Sequence, residues 1–428
     1  MRTVGVLTLG CKVNTYESEY VINELKNNGY EIKDFDDICD VYIINTCTVT
    51  NSSDSKSKKM IRQAIKRNPK ACVVAMGCFI AANFDFTCDG LDITLGNKDK
   101  SKIVELLDEY FKNKEKIQLT YNNRLSIFED MYIDDFPGRT RAFVKIQDGC
   151  DNFCSYCIIP FVRGKCRSKT KDKVIEVVKG LVNNGYKEIV LTGIHTGSYG
   201  IDLDVSFADL LRDLVKIKGL ERLRISSIET TELNDDVLAI LKESNVLVDH
   251  LHIPIQAGSD PILKSMKRKY DLDYFFNKIK EIRDLRPDIS ISTDVIVGFP
   301  GETLELFNKT IETCRKIGFS KLHVFPYSER YGTASSRMDG KLPGNIIKDR
   351  ARKLIKVSME LENDYMNRFV GREVTVLIED YIEGYSYGHT GNFLHCAIPG
   401  KYKPNELIKV KIKEIIYPYC FCELKKED

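Results

Sequence analysis

The chain has 428 residues, of which 43% are hydrophobic and 29% are charged, a composition ordinary for a globular protein in water. The formal net charge of only +2 excludes a uniformly basic coat for nucleic acid but leaves room for local basic patches. The 14 cysteines are too dilute for a disulfide scaffold and indicate metal chemistry in a reducing cytosol. Because the N-terminal run lacks a signal-peptide pattern and no apolar stretch approaches about 20 residues, we expect a soluble, cytoplasmic protein with no membrane partner.

The first segment, residues 1–113, alternates strand and helix patterns. Its strand candidates are the apolar runs VGVLTL, VYIINT and CVVAMG, with helical periodicity between them at residues 17–27 and 56–67. This alternation predicts an N-terminal parallel α/β domain. Polar residues from 112 to 137, with breaks at Asn122–Asn123 and Pro137–Gly138, predict a linker after it.

Three cysteines of this segment share one context, because Cys11, Cys47 and Cys78 each directly follow a strand candidate. The carboxyl ends of parallel strands lie along one edge of a sheet, where open α/β sheets bind ligands. The separations of 36 and 31 residues match β-α-β units. The pattern predicts a three-thiolate metal site, which we call the strand-end triplet. The alternative is three unrelated buried cysteines.

The middle segment, residues 136–366, contains six further strand candidates: FVKIQ, EIVLTG, RLRISSI, HLHIPIQ, ISISTDVIVG and KLHVFPYS. Stretches with helical periodicity, such as residues 174–184 and 272–284, separate them. Six β/α repeats predict an open six-stranded barrel. Active sites of such barrels gather at the C-terminal ends of the strands.

Just past the first of these strands, Cys150, Cys154 and Cys157 form a C-x-x-x-C-x-x-C motif, which we call the loop triplet. Ordinary [4Fe–4S] clusters use four cysteines, and structural zinc is almost always closed with four ligands. A triplet therefore predicts an iron–sulfur cluster with one iron left open for an exchangeable ligand. The alternative is a zinc site or closed cluster completed by Cys166.

The last segment, residues 367–428, follows a long amphipathic helix predicted at residues 346–369. Its short strands alternate apolar and polar residues, which predicts a small OB-like β-barrel. Lysine and aromatic side chains on such a barrel suit phosphate contact and base stacking, so we expect RNA binding. The alternative is ordinary edge-strand lysines over core aromatics. The lysines and aromatics are Lys409, Lys411, Lys413, Tyr385, Tyr387, Phe393 and Tyr402.

On these motifs the chain resembles, nearly end to end, the methylthiotransferases of the radical S-adenosylmethionine (SAM) superfamily. The loop triplet has the spacing of radical SAM enzymes, and a three-cysteine domain, a barrel core and a C-terminal TRAM barrel follow in the same order. The runs TLGCKVNTYES and KIQDGCDNFCSYCIIPFVRGK are similar to the bacterial branch that acts on tRNA N6-threonylcarbamoyladenosine. Isopentenyladenosine enzymes usually carry Gln-Met-Asn where this chain has Lys12, Val13 and Asn14.

The resemblance implies two [4Fe–4S] clusters and SAM as cofactors. The loop triplet would hold the cluster that cleaves SAM to a 5′-deoxyadenosyl radical. The strand-end triplet would hold an auxiliary cluster that carries the sulfur, methylated by another SAM, for transfer. Because the C2–H of adenine is neither acidic nor activated, a radical must remove it, and we assign no catalytic acid or base. We interpret His195, alone after a core strand, as structural or solvated.

By similarity, six residues at strand ends or beside the loop triplet would contact SAM: Tyr156, Gly193, Ser226, Glu229, Gln256 and Gly298. Each has a plain alternative, such as a turn glycine or a helix cap. The resemblance also implies modification at C2 of the adenosine at tRNA position 37, beside the anticodon. It further implies an electron donor such as flavodoxin or ferredoxin, and a sulfur donor.

Two rival functions stay open on the sequence. One is a sister enzyme acting on isopentenyladenosine in tRNA or on a ribosomal-protein aspartate. The lysine-rich C-terminal barrel favours RNA over protein as the substrate. The other, from a different class, is a non-catalytic, zinc-dependent RNA-binding protein.

Overall fold

The computed structural model describes residues 1–119 and 127–424. Its first unit is a six-stranded, fully parallel sheet in the order β2-β1-β3-β4-β5-β6. The strands are β1 (Thr3–Thr8), β2 (Glu31–Lys33), β3 (Val41–Thr46), β4 (Cys72–Gly77), β5 (Ile93–Leu95) and β6 (Ile117–Leu119). The helices are α1 (Lys12–Asn27), α2 (Asn51–Arg67), α3 (Cys78–Ala82) and α4 (Ile103–Asn113). The predicted parallel α/β domain is confirmed.

The C-terminal ends of three central strands lie at the same edge of this sheet. Every residue of β3 and β4 is buried, as expected for parallel strands covered on both faces. In the register, Val41 of β3 pairs with Val4 of β1 on one side and with Cys72 of β4 on the other. The ends of β1, β3 and β4 therefore lie side by side, immediately before α1, the segment leading to α2, and α3.

The segment predicted as a linker is in part structured. Strand β6 joins the sheet, and Met131, Ile133 and Phe136 are buried in the core of the next unit. The linker prediction is wrong for these residues, because the polar composition masked a few well-spaced apolar anchors. Asn122 and Asn123, cited for that prediction, lie outside the described residues.

The second unit is the predicted open β/α barrel. Six parallel strands form two three-stranded halves, β11-β10-β7 and β12-β13-β14, and a backbone hydrogen bond from Ile228 to His252 (3.0 Å) links the halves. The strands are β7 (Arg141–Lys145), β8 (Gln147–Asp148), β9 (Arg167–Ser168), β10 (Glu188–Thr192), β11 (Arg222–Ile225), β12 (His250–His252), β13 (Ser290–Val297) and β14 (Lys321–Pro326), of which β8 and β9 form a separate small ladder. The helices are α5 (Ile159–Arg163), α6 (Lys171–Asn183), α7 (Phe207–Leu214), α8 (Asp235–Glu243), α9 (Asp260–Ser265), α10 (Leu272–Leu285), α11 (Leu304–Ile317) and α12 (Gly344–Asn367).

The third unit is a closed five-stranded barrel in the order β15-β16-β17-β19-β18. Its strands are β15 (Glu373–Ile382), β16 (Tyr385–Thr390), β17 (His395–Pro399), β18 (Leu407–Ile416) and β19 (Tyr419–Leu424). The pair β17 and β19 is parallel, and the other pairs are antiparallel. The predicted OB-like barrel is confirmed. None of the described helices combines the length and apolar character that crossing a bilayer would require.

Candidate metal centres and the cavities between them

The strand-end triplet meets at the edge of the first sheet. Cys11 is the residue before α1, Cys47 follows β3, and Cys78 begins α3 directly after β4. Gly10 has φ +102°, and a Cβ built there would lie 2.9 Å from Cys47 Cβ, so β1 and β3 approach closely only because residue 10 is glycine. The three thiols lie near enough for mutual electrostatic interaction. Burial raises the pKa of Cys47, and the surrounding protein raises the pKa of Cys11, although Cys11 keeps contact with solvent.

Cys78 accepts hydrogen bonds from two buried side chains. Arg163 Nε donates to its sulfur at 3.3 Å, and Asn97 Nδ2 donates at 3.4 Å. Arg163 also donates to Asn14 Oδ1 at 2.7 Å, and Asn14 in turn donates to the backbone carbonyls of Leu9 and Thr46 at the ends of β1 and β3. Donors directed at a cysteine sulfur are typical of the surroundings of a metal-ligating cysteine.

The loop triplet lies on the loop between β8 and α5. A turn joins Cys157 N–H to the Cys154 carbonyl at 3.0 Å, and Arg268 donates to Cys154 Sγ at 3.4 Å. Burial raises the pKa of Cys157 to about 12, and the neighbouring thiols of Cys154 and Cys150 add to the rise. Helix α5 then carries the chain from Cys157 to Arg163, which contacts Cys78 of the other triplet.

Arg163 is also the centre of a buried ionic network between the first two units. Its Nη1 lies 3.0 Å from both Glu17 and Asp148, and Lys145 contacts the same two carboxylates at 2.8 and 2.7 Å. Lys100 pairs with Glu17 as well. Burial alone would raise the pKa of Glu17, but the surrounding cations, Arg163 foremost, hold that pKa well below its usual range. Separating the two units would leave these buried charges without partners, which is costly. The network therefore holds the unit of the strand-end triplet and the unit of the loop triplet in one relative position.

The donor set of each triplet, three cysteine thiols, suits an iron–sulfur cluster. Within residues 1–119 and 127–424, no three or more His, Cys, Asp or Glu side chains are grouped closely enough to hold a single metal ion. Zinc draws its sulfurs to about 2.3 Å from one atom, whereas the thiolates of a cluster bind separate irons. Hydrogen-bond donors aimed at Cys78 and Cys154 suit all-thiolate ligation, and donors to sulfur are a known lever on cluster potential.

His195 and Cys166 lie beside the loop triplet. The His195 ring contacts the thiols of Cys150 and Cys166, and its Nε2 lies 2.6 Å from Glu232. Burial would lower the pKa of His195, but hydrogen bonds to these thiols and to Glu232 outweigh it and raise that pKa. His195 therefore supports the loop rather than standing in solvent.

A cavity of about 180 Å³ opens beside the loop triplet. Tyr156 and Cys157 line it, together with Gln256 and Asp294 of the barrel and with Thr50 of the first unit. The cavity thus adjoins Cys157 and the segment that follows Cys47.

The other residues expected to contact SAM are more dispersed. Glu229 pairs with Arg268 in a small recess beside Cys154. Ser226 lines a second cavity. Gly193 packs against Gln147, and Gly298 has φ +79° and faces Ile347 of α12, where a Cβ would lie 2.6 Å from Ile347 Cγ1. The structure thus gathers Tyr156, Gln256 and Glu229 around the loop triplet and places the two glycines in tight turns.

The second cavity, of about 360 Å³, lies where all three units meet. Lys12 reaches it from the first unit, Arg224 from β11, and Phe393 from the C-terminal barrel. Five of the six histidines of the chain line it: His250, His252, His323, His389 and His395. Lys12 is open to solvent within the cavity, yet enclosure by protein and the positive charges of Arg224 and Arg141 lower its pKa to about 8.

The C-terminal barrel offers two different faces to a nucleic acid. Three lysines of β18 are exposed: Lys409, Lys411 and Lys413. Lys411 is opposite Glu373 of β15 and Glu423 of β19, and a bulge at Lys413 shifts the register with β19. A chain of ring contacts runs over β16, β17 and β19 instead, and leads through His389 and Phe393 to the second cavity. Its members are Tyr387, Tyr419, His395, His389, Phe393 and His250, and Tyr385 packs edge-to-face against Phe421 nearby. Tyr402 packs against the barrel core.

Sequence reasoning missed the buried arginines Arg163, Arg224 and Arg268. A signal was present for Arg224, because the run RLRISSI places two arginines on one face of a strand predicted to be buried. A charge at such a position needs a partner or a ligand. Arg163 and Arg268 carried no such signal, since their partners come from distant parts of the chain.

Comparisons with known proteins agree with this architecture. The profile of the "Radical SAM superfamily" matches residues 144–314, and that of "Uncharacterized protein family UPF0004" matches residues 3–87. Among solved structures, the radical SAM methyltransferase TsrM from Kitasatospora setae is similar at a TM-score of 0.56 and 14% identity. The match covers 76% of this chain and 73% of that one, which supports the fold alone.

Three relatives are informative. Proteins named "Threonylcarbamoyladenosine tRNA methylthiotransferase MtaB" are 41% identical in Bacillus subtilis (98% of this chain, 95% of that protein) and 37% identical in Thermotoga maritima (97% and 95%). A "tRNA-2-methylthio-N(6)-dimethylallyladenosine synthase" of Clostridium perfringens is 35% identical (87% and 86%). The chain therefore belongs to the radical SAM methylthiotransferases, in the branch of the bacterial threonylcarbamoyladenosine tRNA enzymes.

Proposed function

We propose that this protein transfers a methylthio group to C2 of N6-threonylcarbamoyladenosine at position 37 of tRNA. The observation that carries the proposal is the pair of all-cysteine triplets, with Arg163 of the helix after the loop triplet in contact with Cys78 of the strand-end triplet and a cavity beside Cys157. The similarity of this chain to threonylcarbamoyladenosine tRNA methylthiotransferases over nearly its whole length supports the choice of substrate. The auxiliary centre would lie in residues 1–113. The radical chemistry would take place in residues 136–366, and RNA would bind to residues 367–428.

We assign one [4Fe–4S] cluster to the loop triplet and a second, auxiliary one to the strand-end triplet. When bound, these groups supply the electron for reductive SAM cleavage and the sulfur for transfer. Arg268 and Arg163 stabilise the thiolates of Cys154 and Cys78. The ionic network around Arg163 excludes water from the junction and holds its two sides in register.

Tyr156 and Gln256 line the cavity beside Cys157, so we assign them to SAM, with Glu229 near Cys154. Gly193, Ser226 and Gly298 complete the proposed SAM set at strand ends. The two glycines would act through close backbone packing, because each meets a neighbouring side chain where a Cβ would stand.

We assign tRNA binding to the C-terminal barrel. The ring chain from Tyr419 to Phe393 provides stacking faces for unpaired bases and ends at the second cavity. The lysines of β18 (Lys409, Lys411 and Lys413) would contact phosphates outside it. The target adenosine has to leave its stack to reach the cavities. An electron donor such as flavodoxin or ferredoxin, a sulfur donor and a cytoplasmic location complete the proposal.

Dimethylallyladenosine is the second candidate substrate, because a relative named for that product is 35% identical to this chain. The second cavity favours the threonylcarbamoyl group instead, since Lys12 and Arg224 line it and a dimethylallyl group carries no charge.

Nucleoside mass spectrometry of tRNA from a deletion strain tests the proposal. We expect threonylcarbamoyladenosine to accumulate and its 2-methylthio derivative to disappear, with restoration by the intact gene. An unchanged threonylcarbamoyladenosine pool would refute the substrate. Iron and sulfide analysis of anaerobically purified protein tests the centres, and zinc without iron would support the non-catalytic alternative.

A further inference from the structure

Arg224 is a buried cation with four of its five N–H donors unused. Its side chain is 2% exposed, and Nε donates to Glu188 at 2.8 Å. Neither Nη1 nor Nη2 has a hydrogen-bond partner. The guanidinium lies 4.6 Å from the ring centre of Phe393 and lines the second cavity. An unpaired buried guanidinium is costly, so these two donors mark a place for an acceptor.

The charges around this cavity do not balance. Glu188 is shared between Arg224 and Arg222, and Glu379 between Arg141 and His389. Glu362, the carboxylate in the lining itself, pairs with Lys321, and Asp294 lies 3.2 Å from His252. Lys12 adds a further positive charge that Arg224 and Arg141 repel. The local excess of positive charge calls for an anion.

Resting on the function proposed above, we propose that this cavity binds the carboxylate of the threonyl group on N6 of the substrate. Arg224 would donate both free Nη groups to it, and Lys12 would add a second positive charge. A planar guanidinium with two free donors suits a carboxylate, which it binds in bidentate fashion. Both are specificity-determining residues, distant from the chemical step itself.

The position of the cavity agrees with this assignment. Ser292 and Asp294 lie two residues apart on β13; Ser292 lines the second cavity, and Asp294 lines the cavity beside the loop triplet. His252, in the second cavity, lies 3.2 Å from Asp294, so the two spaces adjoin. A base whose reacting carbon faces the first space can extend its N6 substituent into the second.

Two other ligands fit this cavity less well: a phosphate of the RNA backbone and an apolar N6 substituent. A backbone phosphate stays on the outside of an RNA, whereas Arg224 lies at the back of the cavity under Phe393 and 1% of its residue surface is exposed. An apolar N6 substituent would leave the buried Nη1 and Nη2 groups of Arg224 without an acceptor.

The test compares equilibrium binding of two anticodon stem-loop RNAs to the cluster-reconstituted protein by fluorescence anisotropy. One RNA carries N6-threonylcarbamoyladenosine, and the other carries the same group with its carboxyl converted to a primary amide. We expect the wild type to prefer the acid by roughly 10- to 100-fold. Arg224→Gln should reduce this ratio to near one, and Arg224→Lys should restore part of it.

Arg222→Gln is the matched control, because Arg222 is a buried arginine of the same strand that is fully engaged with Glu188 and the carbonyls of His389 and Thr375. It should keep the acid-over-amide ratio even if the protein is less stable. A wild type without preference, a preference kept by Arg224→Gln, or an equal loss for acid, amide and unmodified RNA would each overturn the assignment; the last would indicate a phosphate contact. Methylthiolation of the acid RNA by the wild type, measured in parallel, tests the proposed function separately.

Discussion

Cys150, Cys154 and Cys157 share one loop, whereas Cys11, Cys47 and Cys78 end three different strands of another sheet. In the loop triplet, chain connectivity alone keeps the sulfurs near each other. In the strand-end triplet, the register of β1, β3 and β4 brings them together. The first site therefore depends on a local turn and the second on the integrity of a whole sheet.

The supporting arginines differ in the same way. Arg268 supports Cys154 and pairs with Glu229, which is 15% exposed. Arg163 supports Cys78 from another unit, and its carboxylate partners Glu17 and Asp148 are almost fully buried. The strand-end triplet thus carries a larger share of the energy that joins the units, and five substitutions test this difference.

The largest effect is expected for removal of a cysteine from either triplet. Cys154→Ala and Cys78→Ala should each abolish methylthiolation and lose about half of the bound iron, because the triplets lie on separate elements and we assign one cluster to each. Iron and sulfide content with Mössbauer spectra measures this. Cys88→Ser, in a partly exposed cysteine outside both triplets, is the control and should keep all the iron. Loss of both clusters from one substitution would contradict the independence of the two sites.

Next comes Arg163→Met, which removes the buried cation and leaves Glu17 and Asp148 with fewer partners. We expect a loss of about 3–5 kcal/mol in unfolding free energy, measured by denaturant titration. In Arg212→Met, by contrast, the broken contacts to Asp209 and Asp236 are exposed, so the loss should stay below about 1 kcal/mol. Equal losses of unfolding free energy in the two variants would contradict a special contribution of the buried network to stability.

Arg268→Met is the counterpart at the loop triplet. Since Glu229 keeps some contact with solvent, we expect a smaller loss of about 1–3 kcal/mol. The signature should be local: an altered electron paramagnetic resonance signal of the reduced loop-triplet cluster, with that of the auxiliary cluster unchanged. A loss as large as that of Arg163→Met would show that the two arginines are equivalent.

The smallest effect on stability is expected for Gly10→Ala. A Cβ at residue 10 would meet Cys47 Cβ at 2.9 Å, whereas Gly29 also has a positive φ but nothing within 4 Å of its Cβ position. Each substitution should lose about 1–2 kcal/mol from backbone strain. Only Gly10→Ala should also lower the occupancy of the auxiliary cluster, read from iron content. The same occupancy in both variants would mean that the close approach of Gly10 to Cys47 has no effect on the site.

Much of the fold could be predicted from periodicity. Long apolar runs and regular alternation identified β1, β3, β4, the six barrel strands and the small C-terminal barrel, because each buries a continuous face. The three-residue strands β2, β5 and β6 are too short to show a period, and none was predicted. Helix α1 begins at Lys12, five residues before the predicted start at residue 17, since Cys11 ends the turn after β1.

The sequence by itself determined the ligand chemistry of the loop triplet, because eight residues of chain keep three thiols together whatever surrounds them. It also determined the order of the three units through the period of their apolar residues. Only the tertiary structure decided that Arg163 joins the two triplets and that Arg224 faces a cavity without partners. A buried charge takes its partners from whichever elements pack around it, and those elements lie far apart in the chain.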